Sequence, residues 1–106
     1  VRRRNKYGNK ITVIDGIKFH SQKEGRRYQQ LKLLEQAGVI HNLIRQPAFI
    51  LTAHGVKICK YTGDFYYIED GKLVIEDVKG KPTRDFKLRW KLLQAQEGNK
   101  YVYRLT

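Results

Sequence analysis

Asp70-Gly71 separates two runs of different character, and this one dipeptide constrains most of what the chain can fold into. Before it lies a stretch, 56–67, rich in β-branched and aromatic residues; after it, residues 73–78 begin apolar on both faces. An Asp-Gly pair suits a tight hairpin because both turn positions need positive φ. The two runs are therefore expected to pair antiparallel. The second, apolar on both faces in its first half, is expected to be central in a sheet. Folding back symmetrically about the turn sets Asp64 opposite Asp77.

The remaining elements follow from similar signals. Asp15-Gly16 predicts an N-terminal β-hairpin between 11–14 and 17–19. Ser21-x-x-Glu24 has the form of a capping box and opens a helix running to about Ala37, with Gly38 as its stop. Tyr28, Leu31, Leu34 and Ala37 form its expected buried stripe. Strands are expected at 39–44 and 48–52 around Gln46-Pro47, and a longer strand at 56–67, bent at Gly63, follows the His54-Gly55 turn. Thr83 caps a second helix over 84–96, with Phe86, Trp90 and Leu93 on one face. Gly98-Asn99 ends it before a last strand at 101–105. This order implies an α/β fold, a mixed central sheet flanked by helices with an N-terminal β-hairpin. The length of 106 residues suits one domain, 11–106, preceded by a basic arm at 1–10.

Charge directs attention to partners. Twenty-two Lys and Arg against ten Asp and Glu give a net charge of +12, which favours a polyanion such as nucleic acid. No apolar run is long enough to span a membrane. The single cysteine excludes a disulfide framework and a cysteine-rich zinc site. A reducing cytoplasm is the expected compartment. With no Met in the chain, the initiator and a few residues before Val1 are expected to be missing.

Against this basic background, Asp64, Glu69, Asp70, Glu76 and Asp77 supply half of the ten acids. Side chains alternate along a strand, so Asp77 and Lys79 share one face and Glu76 and Val78 the other. Asp64 and Asp77 across a strand pair would repel unless a cation or a proton lies between them. Hard oxygen ligands suit Mg²⁺ or Mn²⁺. On the first helix, Glu24 precedes Tyr28 by one turn and Leu31 by two, so it points along the buried stripe. The plain alternatives are a solvated strand pair in which Lys79 neutralises Asp77, and a Glu24 that only caps its helix.

The Asp64…Asp77-x-Lys79 constellation resembles the PD-(D/E)xK nuclease superfamily. Gly63 stands where that family often has Pro. The ordered set Phe19-x-Ser21-x-x-Glu24, Gln46-Pro47-x-Phe49, Tyr61-x-x-Asp64-Phe65, Asp77-Val78-Lys79-Gly80 and Phe86-Lys87-Leu88-x-x-Lys91 resembles a family of small phage proteins related to Holliday-junction resolvases and transposase endonuclease subunits. The resemblance spans about Tyr7 to Thr106. It implies a restriction-endonuclease-like core and a Mg²⁺- (or Mn²⁺-) dependent endodeoxyribonuclease. Asp64, Asp77 and the Val78 carbonyl would bind the metal, and Glu24 would complete the site. Lys79 would orient or help deprotonate the attacking water and stabilise charge on the phosphate. If the chain is phage-encoded, the cytoplasm is that of the host.

Several basic residues are candidates for DNA contact. Arg2, Arg3 and Arg4 lie in the arm, which reads equally as a solvated tail. Lys23, Arg26 and Arg27 oppose the dipole of the first helix, a local cost that bound DNA would offset. Arg84, Lys87 and Lys91 recur at helical spacing, as a phosphate-tracking face or a merely solvated one. Gln46 would touch substrate or order water, or simply occupy a kink before Pro47. No sequence-reading module is present, which favours branched or otherwise structured DNA over a base sequence. The resolvase resemblance implies a C2 homodimer making paired cuts. The rival functions are a non-catalytic nucleic-acid-binding protein on a nuclease-like fold, and a small protein whose basic face docks an acidic partner.

Overall fold

A computed structural model describes residues 10–106; the basic arm with Arg2, Arg3 and Arg4 lies outside the described residues. The elements run β1 (Thr12–Ile14), β2 (Ile17–Phe19), α1 (Gln22–Gln36), β3 (Ile40–Arg45), β4 (Ala48–Ala53), β5 (Val56–Thr62), β6 (Phe65–Glu69), β7 (Lys72–Asp77), α2 (Arg84–Glu97) and β8 (Val102–Leu105). A 3-10 turn at Gly98–Lys100 joins α2 to β8.

Three two-residue turns close the hairpins. Asp15-Gly16 (φ 53° and 74°) joins β1 to β2, His54-Gly55 (51° and 79°) joins β4 to β5, and Asp70-Gly71 (53° and 74°) joins β6 to β7. Positive φ at both positions matches the right-handed twist of the flanking strands, and glycine bears the second position without steric cost. α1 starts where Ser21 Oγ accepts the Glu24 N–H at 3.1 Å. Tyr28 and Leu31 are buried and Leu34 packs beside them, but Ala37 is the exposed C-cap, because the chain turns away there at Gly38. Gly25 instead extends the buried stripe. A Cβ at this position would sit 2.9 Å from Ile14 Cδ1, so α1 lies close against the N-terminal hairpin.

The main sheet has the order β3-β6-β7-β8. β6 and β7 are antiparallel with Phe65 opposite Glu76; β7 and β8 are parallel and connected through α2. β7 is thus internal, as its apolar faces required. The long strand expected over 56–67 is divided into β5 and β6 at Gly63 and Asp64. Its pairing continues through the division. Arg45 faces Phe65 and Ala48 faces Thr62, while Gln46 N–H donates to the Asp64 carbonyl and Gly63 N–H to the Pro47 carbonyl, both at 2.9 Å. β3–β4 and β5–β6 therefore form one ribbon with a corner at Gln46-Pro47 and Gly63-Asp64. Pro47 cannot donate a ladder hydrogen bond and Gln46 takes φ 56°, both of which favour an interruption there.

The two faces of the sheet carry separate cores. Phe19, Tyr28, Leu31, Ile40, Phe65, Tyr67, Val74 and Val78 pack on the α1 side. Leu51, Tyr61, Ile75 and Leu93, with Trp90 beside them, pack on the side of α2 and the β4–β5 half of the ribbon. The result is an α+β domain with a mixed sheet, two helices and an N-terminal hairpin. Among the described residues, no helix is long and apolar enough to cross a membrane.

Leu31 is fully buried and Leu33, on the same helix, is exposed. Leu31→Ala should cost about 2–5 kcal/mol in equilibrium denaturation. Leu33→Ala should cost less than about 0.5 kcal/mol.

Candidate functional site

Two consecutive acids at the end of β7, Glu76 and Asp77, are both buried. Strand alternation sends them to opposite faces, and their surroundings differ accordingly. Glu76 enters the α1 side, where Arg27 donates from Nε at 2.6 Å and from Nη2 at 3.0 Å. The Tyr67 and Thr106 hydroxyls donate as well. Burial alone would raise this carboxyl; the bonds from Arg27, Tyr67 and Thr106 outweigh it and hold Glu76 below the usual range. Glu76 is a satisfied structural ion.

Asp77 enters the α2 side with less. The Tyr61 hydroxyl donates to Oδ2. Oδ1 has no hydrogen-bond partner although it is buried. Lys79 Nζ lies 3.4 Å from Oδ1, at ion-pair range but outside hydrogen-bond geometry. A buried oxygen left in this state is costly unless something else meets it.

Asp64 occupies the ribbon corner beside this oxygen. Its backbone N–H bonds the Glu76 carbonyl at 3.2 Å, which continues the β6–β7 register and puts Asp64 opposite Asp77. Its Oδ2 accepts the Val78 N–H at 2.7 Å. Burial, and next the charge of Asp77, push the Asp64 carboxyl up to about 8; the Val78 bond opposes them, and the charge of Glu24 and a side-chain hydrogen bond between protonated Asp64 and Asp77 add smaller pushes. Without a cation, a proton shared by the pair would relieve the repulsion.

The lysine and its neighbours form the rim. Lys79 Nζ lies 4.7 Å from the centre of the Phe86 ring on α2. The Lys79 carbonyl accepts from Lys23 Nζ at 3.1 Å, which ties α1 to the strand end. Glu24 is partly buried, and burial raises its pKa against the nearby charge of Arg45. Its carboxylate makes no bond back to Ser21 among the described residues, so only half of the capping box forms. Among the described residues, no group of three or more His, Cys, Asp or Glu side chains stands close enough to hold a metal ion. Asp64 and Asp77 are neighbours with Lys79 beside them, and Glu24 lies within electrostatic reach of both acids.

Of the candidate DNA contacts, Arg84, Lys87 and Lys91 are exposed on α2 and Lys23 is exposed on α1. Gln46 is exposed at the corner, with its N–H on the Asp64 carbonyl. Arg27 is turned inward and committed to Glu76, with Nη1 on Gln30 at 3.2 Å. Two neighbours escaped the sequence reading. Tyr61 belongs to a recognisable motif, but only the folded ribbon aims its hydroxyl at Asp77. Arg45, with its guanidinium 4.9 Å from the centre of the Phe19 ring and a buried Nε lacking a hydrogen-bond partner, has no sequence signal.

Two outcomes follow from these charges. Arg27→Met leaves Glu76 buried without its cation and should cost about 3 kcal/mol in denaturant unfolding. For Asp64 the folded pKa lies above the unfolded one. Its contribution is therefore fully present below about pH 4 and is lost as pH rises towards about 8. The metal-free protein should melt at progressively lower temperature across that window, and Asp64→Asn should flatten the fall.

No curated protein and no solved structure matches the chain. A family match covers residues 4–105, nearly its whole length, and the chain belongs to the family described as "Protein of unknown function (DUF1064)".

Proposed function

We propose that this protein is a divalent-cation-dependent endodeoxyribonuclease with a restriction-endonuclease-like core. The observation that carries the reading is the Asp64–Asp77 pair, in which a buried oxygen, Asp77 Oδ1, has no hydrogen-bond partner while Lys79 stands 3.4 Å away. The donor set is all oxygen, and a hard cation would both meet Oδ1 and relieve the repulsion between the two acids. Mg²⁺ or Mn²⁺ fits these residues. Asp64, Asp77 and the Val78 carbonyl would hold it, and Glu24 would complete the site.

When bound, such a cation supplies Lewis-acid activation of water and offsets charge on a scissile phosphate. The protein's own groups would do the rest. Lys79, placed between Asp77 and the Phe86 ring, would orient the attacking water and stabilise negative charge developing on the phosphate. Lys23, Arg84, Lys87 and Lys91 would bind the DNA backbone, with Gln46 beside the site. Binding should therefore weaken steeply as salt rises. Branched DNA is the proposed substrate class and a homodimer the proposed working form, both through the resemblance to resolvases.

One alternative is a DNA-binding protein on the same fold that does not cut. Branched, nicked and duplex DNA incubated with Mg²⁺ or Mn²⁺ separates the two. The nuclease reading expects cleavage that falls at least about 10²-fold in Asp77→Ala and Lys79→Ala. Retained binding without cleavage of any substrate would leave the non-catalytic reading.

A further inference from the structure

Tyr61 meets Asp77, and Gly63 meets the Tyr61 hydroxyl, in a way that the proposed chemistry does not itself require. Tyr61 is only 3% exposed, and its hydroxyl donates to Asp77 Oδ2 while Oδ1 is left without a hydrogen-bond partner. A buried phenol seeks a partner for its hydroxyl, and this one selects one of two oxygens on one carboxylate. The ring is held in turn, with its centre 5.9 Å from that of Trp90 on α2. Space at the hydroxyl comes from Gly63. A Cβ there would lie 3.3 Å from Tyr61 Oη, 3.4 Å from Pro47 Cγ and 3.5 Å from Ile75 Cγ2. Gly63 does not have positive φ, so the close approach of Tyr61, rather than backbone geometry, is what disfavours a side chain there. Gly63, where the resembled family often has Pro, is thus the residue that borders the Tyr61 hydroxyl.

We infer that Tyr61 is a positioning residue: it fixes the Asp77 carboxylate by Oδ2 and so presents Oδ1 to a divalent cation, in a space kept open by Gly63. This rests on the metal-dependent reading above and adds to it the group that orients the ligand. Outer partners of metal ligands typically change affinity by about 10–100-fold when removed.

The opposite face of β7 provides the control. Tyr67 is also buried and donates to a carboxylate, that of Glu76. Loss of the Tyr61 hydroxyl removes its bond to Asp77, and loss of the Tyr67 hydroxyl removes its bonds with Glu76 and Arg104, but only Tyr61 touches the proposed ligand. The test is Mn²⁺ affinity measured by calorimetry on the whole protein, with folding followed by circular dichroism. Tyr61→Phe should weaken Mn²⁺ about 10-fold or more, Gly63→Ala should weaken it less, and Tyr67→Phe should leave it unchanged while lowering the melting temperature. Equal losses in Tyr61→Phe and Tyr67→Phe would mean a general stability effect and overturn the inference. Unchanged affinity in folded Tyr61→Phe would overturn it while leaving the metal site standing. Should the wild type bind no Mn²⁺, the metal-dependent reading and this inference fall together. If Tyr61→Phe does not fold, Gly63→Ala decides by the same comparison: weaker binding supports the inference and unchanged binding overturns it.

Discussion

A carboxylate taken out of water must be met by donors or by charge, and β7 buries two of them side by side. On one face Glu76 receives Arg27, Tyr67 and Thr106. On the other, Asp77 receives Tyr61 on one oxygen and no hydrogen bond on the second. The same strand thus carries a completed ion network and an incomplete one, separated only by side-chain alternation. The completed one joins α1 to the sheet. The incomplete one, with Asp64 beside it, is the proposed cation site.

The bent ribbon makes this arrangement possible. Its β3–β6 half belongs to the main sheet, and its β4–β5 half packs with α2 over the opposite face. Asp64 lies at the corner between them, close enough to the end of β7 to accept the Val78 N–H. α2 follows directly and brings Phe86 to Lys79. Corner, strand end and helix start are adjacent in space, so the acids and the lysine meet at one edge of the sheet. The exposed cations of α2 belong to the element that supplies this rim.

Local signals in the chain were enough for most of the scaffold. The positive-φ turns, the Ser21 and Thr83 caps and the parity of β7 each depend on a few neighbouring residues. Parity distinguished Asp77 from Glu76, and the register about Asp70-Gly71 placed Asp64 opposite Asp77. What was not legible depends on distant partners. Arg27 looks like a surface cation by its sequence, but a buried Glu76 draws it inward. The hydroxyl of Tyr61 reaches Asp77 because the ribbon folds across, with Gly63 beside it. Ala37 ended an apolar stripe, yet the helix stops before that position can be covered. Glu24 follows the buried stripe in phase, and it is partly buried within electrostatic reach of Asp64 and Asp77.

The central claim is that Asp64 and Asp77 share a divalent cation. Anomalous diffraction from crystals soaked in Mn²⁺ tests it most directly. The account predicts a peak between the two carboxylates, roughly 2.2 Å from an oxygen of each, which is absent in Asp77→Asn crystals. A wild-type map with no peak there, or with Mn²⁺ bound only at other acids, would contradict it.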